Sequence, residues 1–550
     1  MTIDVENFRQ RRNDDRWNRV SVGDVIERVT WSTPDKLALI CTADATVNPA
    51  YQRLTYAQAN ALINRLANAL LALDPPPAAR IAMFCDNSNE AWLTKIAIAK
   101  AGLVAAPVNV MMAPDVILET LAHVDARLAI VDQAQWDRLG ERLAPAGIRP
   151  VMSIGGGATG VAPDFDTFIA PHASDEPDVR IHGDDVWQVL FTSGTTARPK
   201  AVMISHTYTY MTAYSHVLTQ TRGLDHESDL RHAAFTPMVY HIGDQACIFA
   251  PLLAGGSAVM GRKPDGHVIA ETCTRERVTC LFGGSPQFVE SVIRAVDERP
   301  FAYDLSSLTA MHFGWAPLAP GALAAFRRIC GPQVKVYEIC GQTEAVACHR
   351  FHVDRHTDMY LREAPAANHV GLPSPIMAAT VFDADGNDLH GRKGVAGEAV
   401  YRSPAMFSGY YRDLKATEEA LAGGWFHSGD SFVYHDDEVR LMVDRYKDIV
   451  KSGGENVSTI RVEAILQQHP HVQRAAVVGV PDERWGEAVV ACIIPAVGVS
   501  PDAAAIIAFA RERLAGFETP KRIVVMDEFP TTVGGKILKY KIRQALAASD

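Results

Sequence analysis

The N-terminal part of the chain alternates short apolar runs with stretches in which apolar side chains recur at helical spacing. Between Leu54 and Leu70 that spacing predicts an amphipathic helix, with Thr55 placed to be its N-cap. The apolar runs that predict strands are residues 81–84, 105–110, 128–131, 186–190 and 232–237. Because alternating strands and helices are typical of α/β sheets, we expect an α/β fold with a large multi-layer N-terminal domain.

A change of pattern at Asp444 indicates a domain boundary. Residues 444–459 form a charged, glycine-containing link, and strands are predicted beyond it at residues 475–480, 489–495 and 522–527. Helical stretches separate these strands, which favours a small α+β domain. We therefore divide the chain into a large domain, residues 1–444, and a small domain, residues 445–550.

Composition narrows the class of protein. A chain of 550 residues exceeds what one hydrophobic core usually supports, which agrees with two domains. The net charge of −11 leaves no basic excess and argues against a nucleic-acid binder. Nine cysteines without zinc-site spacing favour a reduced, cytoplasmic environment. We expect no membrane span, because the most apolar stretch is interrupted by polar residues.

A polar loop follows the strand predicted at residues 186–190. It carries hydroxyl groups, one glycine and two cations, on Thr192, Ser193, Gly194, Thr195, Thr196, Arg198 and Lys200. Phosphate oxygens need many donors at close range, and this composition supplies them. The loop lacks the second Gly-Lys-Ser/Thr unit of a Walker A loop, so a P-loop NTPase is disfavoured. A polar surface turn is the alternative interpretation.

Five further segments follow the loop in a fixed order: GQTEA (341–345), GEAVYRS (397–403), GWFHSGD (424–430), DRYKDIVKSGGEN (444–456) and GGKILK (534–539). Together with the loop, this succession resembles the adenylate-forming enzymes, the superfamily of acyl-CoA synthetases, carrier-loading adenylation domains and firefly luciferase. The resemblance implies that a carboxylic acid and ATP form an acyl-adenylate and pyrophosphate. A thiol then captures the acyl group.

The resemblance also implies a nucleotide and magnesium site. The polar loop would hold the β and γ phosphates, with Thr192 and Lys200 acting in catalysis. Glu344 and Thr196 would hold Mg²⁺, since a hard cation takes carboxylate, hydroxyl and phosphate oxygens. The other implied nucleotide-binding residues are Ser193, Gly194, Thr195, Gly314, Trp315, Ala316, Pro317, Cys340, Gly341, Gln342, Thr343, Asp430 and Arg445. Asp430 would accept hydrogen bonds from the ribose hydroxyls.

The small domain is expected to be mobile, with a hinge near residues 445–448. In the resemblance Lys447 occupies the hinge, and Lys536 reaches the substrate carboxylate and the α-phosphate as a catalytic residue. Gly453 and Gly454 would face the site after rotation. The implied coenzyme A contacts are Trp485, Phe517 and Lys521.

Candidate acid-pocket residues are Tyr240, His241, Ser285, Phe288 and Trp315. His241 resembles a catalytic gate between the acid and the thiol channel, although a buried core histidine is the plainer interpretation. Trp315 stands where family members have glycine. Another departure is Cys340, which stands where many members have an aromatic residue that stacks on adenine.

The sequence therefore predicts an ATP-dependent acid-CoA ligase that uses Mg²⁺ and a hydrophobic fatty, aromatic or alicyclic acid. Alternatives that stay open are an adenylation enzyme that loads a carrier protein, a luciferase-like oxygenase and a nucleotide-binding regulator with impaired catalysis. The expected partners are the small-molecule acid and coenzyme A. The oligomeric state is open, with a homodimer as one candidate.

Overall fold

The computed structural model describes residues 19–110, 112, 114–156, 158, 160–192, 200–237, 241–365, 367–445, 448–452, 455–531 and 537–549. Within them the strands are β1 (Leu37–Cys41), β2 (Arg53–Thr55), β3 (Arg80–Phe84), β4 (Val104–Pro107), β5 (Leu128–Asp132), β6 (Arg149–Ile154), β7 (Val186–Thr192), β8 (Lys200–Ser205), β9 (Arg231–Ala234), β10 (Ser257–Met260), β11 (Cys280–Gly284), β12 (Ala310–Gly314), β13 (Lys335–Gln342), β14 (Ala345–His352), β15 (His369–Pro373), β16 (Ala378–Phe382), β17 (Gly397–Arg402), β18 (Phe426–Tyr434), β19 (Arg440–Arg445), β20 (Val450–Ser452), β21 (Glu455–Val457), β22 (Val472–Asp482), β23 (Gly486–Pro495) and β24 (Arg522–Val525).

The α-helices of the same residues are α1 (Asp24–Ser32), α2 (Tyr56–Leu71), α3 (Asn89–Lys100), α4 (Pro114–His123), α5 (Gln133–Leu143), α6 (Phe165–Ile169), α7 (His206–Gln220), α8 (Ala250–Leu253), α9 (Gly266–Glu276), α10 (Pro286–Glu298), α11 (Pro320–Cys330), α12 (Thr357–Glu363), α13 (Leu414–Ala420), α14 (Thr459–Leu466), α15 (Ala503–Arg511) and α16 (Lys539–Ser549). A π-helix, Gly243–Phe249, runs directly into α8.

The predicted N-terminal helix is confirmed as α2. Thr55 is its N-cap and accepts a hydrogen bond from the backbone N–H of Gln58, whose side chain bonds back to Thr55. This capping box satisfies two backbone donors that the first helical turn would otherwise leave without partners.

A six-stranded sheet has the order β6-β5-β3-β4-β7-β8. Its first five strands run parallel, whereas β8 pairs antiparallel with β7 and places Thr192 opposite Lys200. Most residues of the parallel strands are buried, which explains the continuous apolar runs of the sequence. The polar loop therefore joins the two strands of a hairpin.

A 13-stranded sheet has the order β16-β17-β18-β19-β15-β14-β13-β12-β11-β9-β10-β1-β2. Its central strands, from β1 to β13, run parallel, and antiparallel strands extend both ends. Gly314 on β12 lies opposite Ile339 on β13, and Ile339 lies opposite Arg350 on β14. The carboxyl ends of parallel strands meet at one edge, so β11, β12 and β13 end at a common crevice.

The small sheet has the order β21-β20-β23-β22, with β24 parallel to β23. Helices α14 and α15 pack on one face, and α16 packs on the other. The large sheet ends with Arg445 and the small sheet begins with Val450, so the predicted hinge segment joins the two sheets. The fold is thus a large α/β domain followed by a smaller domain of mixed structure, as the sequence predicted.

All nine cysteines lie in the described part of the chain and are free thiols. Within the same part, no helix combines the length and the apolar character needed to cross a bilayer.

Candidate active site

Strands β18 and β19 bring Asp430 and Arg445 together, because these residues lie opposite each other in the ladder. Arg445 Nε is 3.3 Å from Asp430 Oδ1, and the carboxylate is buried. Gln342, at the end of β13, donates a hydrogen bond to the backbone oxygen of Ser428 at 3.1 Å. A carboxylate that accepts hydrogen bonds and a guanidinium that donates them therefore lie side by side beside the end of β13.

Glu344 lies in the turn between β13 and β14 and is buried. One of its oxygens, Oε1, accepts a hydrogen bond of 2.8 Å from Tyr410. Lys200 Nζ lies 4.3 Å from the centre of the Tyr410 ring, a cation–π contact. Burial raises the pKa of Glu344, while the Tyr410 hydrogen bond and the charges of Lys200 and Arg445 oppose that rise. A cation beside Glu344 would therefore be held strongly.

Cys340 is half-buried on β13 near Asp430 and Arg445. Burial raises the pKa of its thiol well above the ordinary value, so Cys340 is a neutral, weakly polar side chain. Its position is thus compatible with the predicted contact to a nucleotide base, with sulfur in place of an aromatic ring.

His241 is buried, and both of its ring nitrogens have partners. Nδ1 is 2.9 Å from the backbone oxygen of Thr343, which requires that Nδ1 carry the proton. Nε2 must then accept from the amide of Gln245 in the π-helix. Burial lowers the pKa of His241 to about 3, so the ring is neutral. The structure fixes its orientation at the backbone of the Gly-Gln-Thr-Glu segment.

Trp315 follows β12 with a φ of 68°, a left-handed conformation that favours glycine. Its side chain is 41% exposed and makes an edge-to-face contact with Phe282, with 5.7 Å between ring centroids. With Phe235, Phe282 and Phe288 it lines an apolar cleft at the carboxyl edge of the large sheet. Trp315 therefore narrows the cleft in which the sequence placed the acid.

The remaining predicted crevice residues lie at or after the ends of strands β11, β12 and β13. Phe288 lines it directly, and the hydroxyl of Ser285 is buried without a protein partner in the described chain. Gly314 ends β12 inside the fold, and Ala316 and Pro317 are half-buried beyond it. Gly341 is exposed at the end of β13.

The coenzyme A candidates cluster on the small domain. Lys521 Nζ lies 4.9 Å from the Trp485 ring centre, and the guanidinium carbon of Arg484 lies 4.7 Å from it. Phe517 is half-buried and packs against the core of the small domain. Trp485 and Lys521 thus form one surface, whereas Phe517 also has a structural role.

Several predicted residues lie outside the described part of the chain, and their placement stays a prediction. They are Ser193, Gly194, Thr195, Thr196, Tyr240, Lys447, Gly453, Gly454 and Lys536.

Two residues at the site were missed by the sequence analysis. Tyr410 contacts both Glu344 and Lys200, and Gln245 orients His241. Tyr410 is far from both partners in the chain, and Gln245 lies in a π-helix that no apolar periodicity marks. No sequence signal could have identified either one.

Comparisons with known proteins identify the family to which this chain belongs. The family model described as AMP-binding enzyme matches residues 26–411, and the model described as AMP-binding enzyme C-terminal domain matches residues 461–536. A feruloyl-CoA synthase of an Amycolatopsis species is 32% identical over 498 residues, covering 89% of this chain and 94% of that protein. The 4-hydroxybutyrate–CoA ligase 2 of Metallosphaera sedula is 35% identical over 365 residues, covering 66% of this chain and 64% of that protein.

The fold is also that of a solved ligase. The crystal structure of the anthranilate CoA ligase AuaEII in complex with anthranoyl-AMP matches with a TM-score of 0.82 and 24% identity, covering 96% of this chain and 98% of the other. The chain belongs to the AMP-binding enzyme family and is an adenylate-forming enzyme of the acyl-CoA synthetase type.

Proposed function

We propose that this enzyme activates a hydrophobic carboxylic acid in two steps. In the first, a carboxylate oxygen attacks the α-phosphorus of ATP, and pyrophosphate leaves. In the second, the thiol of coenzyme A attacks the acyl carbon, and AMP leaves with the pair of electrons of the broken acyl–oxygen bond. The curated relatives, which are acid–CoA ligases, support coenzyme A as the thiol.

The run of contacts from Lys200 through Tyr410 to Glu344 carries the proposal for the first step. Negative charge develops on the phosphorus centre and the departing pyrophosphate, and fixed cations and donors stabilise it. Lys200 begins the strand that follows the polar loop, so its ammonium group is available to phosphates that the loop would hold. Tyr410 limits the movement of both charged side chains.

Glu344 and Thr196 are the proposed magnesium ligands. Tyr410 occupies one carboxylate oxygen of Glu344, and burial disfavours an uncompensated negative charge there, so a hard divalent cation suits this position. When bound, Mg²⁺ would neutralise charge on the phosphate oxygens. Asp430 is the proposed acceptor for the ribose hydroxyls, with Arg445 beside it.

The second step requires the small domain to turn at Lys447, so that the surface of Trp485 and Lys521 approaches the crevice. An adenine ring can stack on Trp485, and Lys521 can meet the phosphates of coenzyme A. Lys536 would serve the first step from the same domain. The neutral, fixed ring of His241 would border the acid on the side of the thiol.

The test measures AMP release from ATP and Mg²⁺ with a panel of fatty, aromatic and alicyclic acids, with and without coenzyme A. We expect at least one hydrophobic acid to give AMP release that coenzyme A stimulates, together with the matching acyl-CoA. AMP release without acyl-CoA would favour a carrier-loading enzyme, and no release with any acid would reject the proposal.

Asp430→Asn keeps the shape of the side chain and removes its charge, so it should strongly raise the KM for ATP. Asp436→Asn is the matched control, because Asp436 is exposed and pairs with Lys393 at the far end of strand β18. It should leave the KM for ATP unchanged.

A further inference from the structure

Beneath the cleft, several buried polar atoms lie on α7, the π-helix and the large sheet, and α7 is hydrogen-bonded to both the π-helix and β14. Within the described chain these atoms have no hydrogen-bond partner; they belong to Thr212 and His216 on α7, Gln245 on the π-helix, and His312 and Tyr337 on β12 and β13. His312 stacks on Tyr337 with 5.3 Å between ring centroids and lies 6.4 Å from His216. Buried polar groups are normally hydrogen-bonded in folded proteins, so this group of donors and acceptors has the chemistry to bind a polar ligand.

Arg350 supplies the charge of this cluster. It is buried on β14 and donates hydrogen bonds to the backbone oxygen and hydroxyl of Ser215 and to the hydroxyl of Thr219. Its Nε has no partner, and among the described residues no carboxylate lies within ion-pair distance of it. Buried charges are normally paired, so this guanidinium lacks an anion.

The neighbouring histidines are neutral and do not change the net charge of the cluster. Burial lowers the pKa of His216 and of His312 well below the ordinary value, and the positive charge of Arg350 lowers both further. Burial lowers the pKa of Arg350 only to about 10, so it stays charged at neutral pH. The cluster therefore carries one positive charge and offers neutral donors around it.

The strand register connects Arg350 to the crevice. Gly314, Ile339 and Arg350 are consecutive partners across β12, β13 and β14, so the Arg350 backbone lies roughly 10 Å from Gly314. Phe282 separates the cleft from the cluster, with its ring centroid 5.7 Å from Trp315 and 4.9 Å from His312. Rotation of the Phe282 side chain would open the cleft towards the cluster.

We propose that Arg350, Tyr337 and His312 form the far end of the acid site and bind the second carboxylate of a dicarboxylic acid, an inference that rests on the proposed ligase activity. One carboxylate would react at the crevice, an apolar spacer would pass Phe282, and the other carboxylate would meet the guanidinium. The second carboxylate would accept hydrogen bonds from Arg350 Nε and the Tyr337 hydroxyl.

A metal ion fits the same cluster less well. His232, Cys280 and His312 have ligand atoms within 4.8 Å of one another. However, the Nε2 atoms of His232 and His312 are 2.7 Å apart, a hydrogen-bond distance. Two nitrogens on one tetrahedral zinc ion would be roughly 3.3 Å apart. A divalent cation would also add charge beside Arg350, which already lacks an anion.

The test compares α,ω-dicarboxylic acids from succinate to sebacate with their monomethyl esters. It also includes the corresponding monocarboxylic acids, in which a methyl group replaces the second carboxylate. For the best diacid we expect kcat/KM for AMP release to exceed that of its ester by roughly ten- to a hundredfold, the size expected for hydrogen bonds to a charged group. An ester or methyl-ended acid that reacts as well as every diacid would overturn the inference and leave the ligase function standing.

Tyr337→Phe is the decisive variant, because it removes a hydroxyl that has no protein partner and should not lower Tm. It should reduce the preference for the diacid about tenfold and leave the methyl-ended acid unchanged. Equal loss for all acids would contradict a role in binding. Arg350→Met should abolish the preference, whereas Arg328→Met should keep it, because Arg328 is exposed on α11 and pairs with Asp297.

Titration calorimetry of the same diacid provides a readout independent of turnover. If no acid releases AMP, the ligase proposal fails, and the binding heat alone decides this inference. Diacid binding that Tyr337→Phe weakens supports it, and no detectable binding to the wild-type protein overturns it.

Discussion

The large and small domains hold charge in opposite ways at the sites proposed here. At the nucleotide site of the large domain, the carboxylates of Glu344 and Asp430 are buried, and Glu344 is hydrogen-bonded to Tyr410. In the small domain, Lys521 and Arg484 lie at the surface against the face of Trp485. Buried, fixed charge suits a reaction centre, whereas surface stacking suits a large ligand that binds and leaves.

The largest effect is expected at low pH, which should unfold the large domain before the small domain. Burial lowers the pKa of His206, His232 and His349 to about 3, below the unfolded value near 6.5. Between these values the unfolded state binds protons that the native state does not, so stability is present above pH 6.5 and falls as the pH drops. Through these three histidines, each pH unit of acidification in this range should lower the free energy of unfolding by roughly 4 kcal/mol.

Hydrogen exchange read by mass spectrometry, corrected for the intrinsic effect of pH, checks this. The small domain has only His469 and His471, and neither is fully buried, so its protection should persist after that of the large domain is lost. His349→Gln should reduce by one the number of protons taken up on unfolding of the large domain, and so reduce the slope of its free energy of unfolding against pH. Simultaneous loss of protection in both domains would contradict the prediction.

Glu344→Gln tests the buried side of the comparison and should have the next largest effect. The amide keeps the shape and cannot supply the negative charge, so adenylation should slow by about a hundred- to a thousandfold. The decrease should appear in pyrophosphate exchange and in acyl-CoA formation alike. Glu363→Gln is the control and should leave both rates unchanged, because Glu363 lies on α12, hydrogen-bonded to His369 and paired with Arg362.

These residues also show how far sequence reasoning reached. Strands and α2 were predicted because burial on one or both faces leaves a periodic apolar pattern, and Thr55 was recognisable as a cap. Asp430 and Arg445 were identified by resemblance, and the ladder between β18 and β19 places them together. The hydrogen bond from Tyr410 to Glu344 spans 66 positions, and such a contact depends on folding rather than on local pattern.

The cluster around Arg350 was missed for the same reason. His216, His312, Tyr337 and Arg350 lie on four different elements, and each alone resembles an ordinary polar residue in an apolar segment. Only the sheet register and the packing of α7 bring them together. The sequence therefore predicted a hydrophobic fatty, aromatic or alicyclic acid, and the proposal for Arg350 adds a polar end to the acid site.

Trp485→Ala tests the exposed side of the comparison. Removing the ring should slow acyl-CoA formation about tenfold through lost stacking and leave pyrophosphate exchange unchanged. Trp425→Ala is the matched control, since Trp425 makes a similar contact with Arg402, at 4.3 Å, on the large domain. If Trp485→Ala slowed both half-reactions equally, the assignment of the small-domain surface to coenzyme A would be wrong.

Trp315→Gly should have the smallest effect and tests whether Trp315 shapes the acid cleft or serves the nucleotide site. Glycine accepts the φ of 68° without strain, so the variant should fold, although it loses the contact with Phe282. A wider cleft should raise kcat/KM for bulky acids relative to small ones by about three- to tenfold, the range expected for small changes in apolar contact. Trp315→Phe keeps an aromatic ring there and should shift the preference less.

If Trp315 instead compensates for the aromatic residue replaced by Cys340, the KM for ATP will rise and the acid preference will stay. A variant with both properties unchanged would show that the indole has neither role.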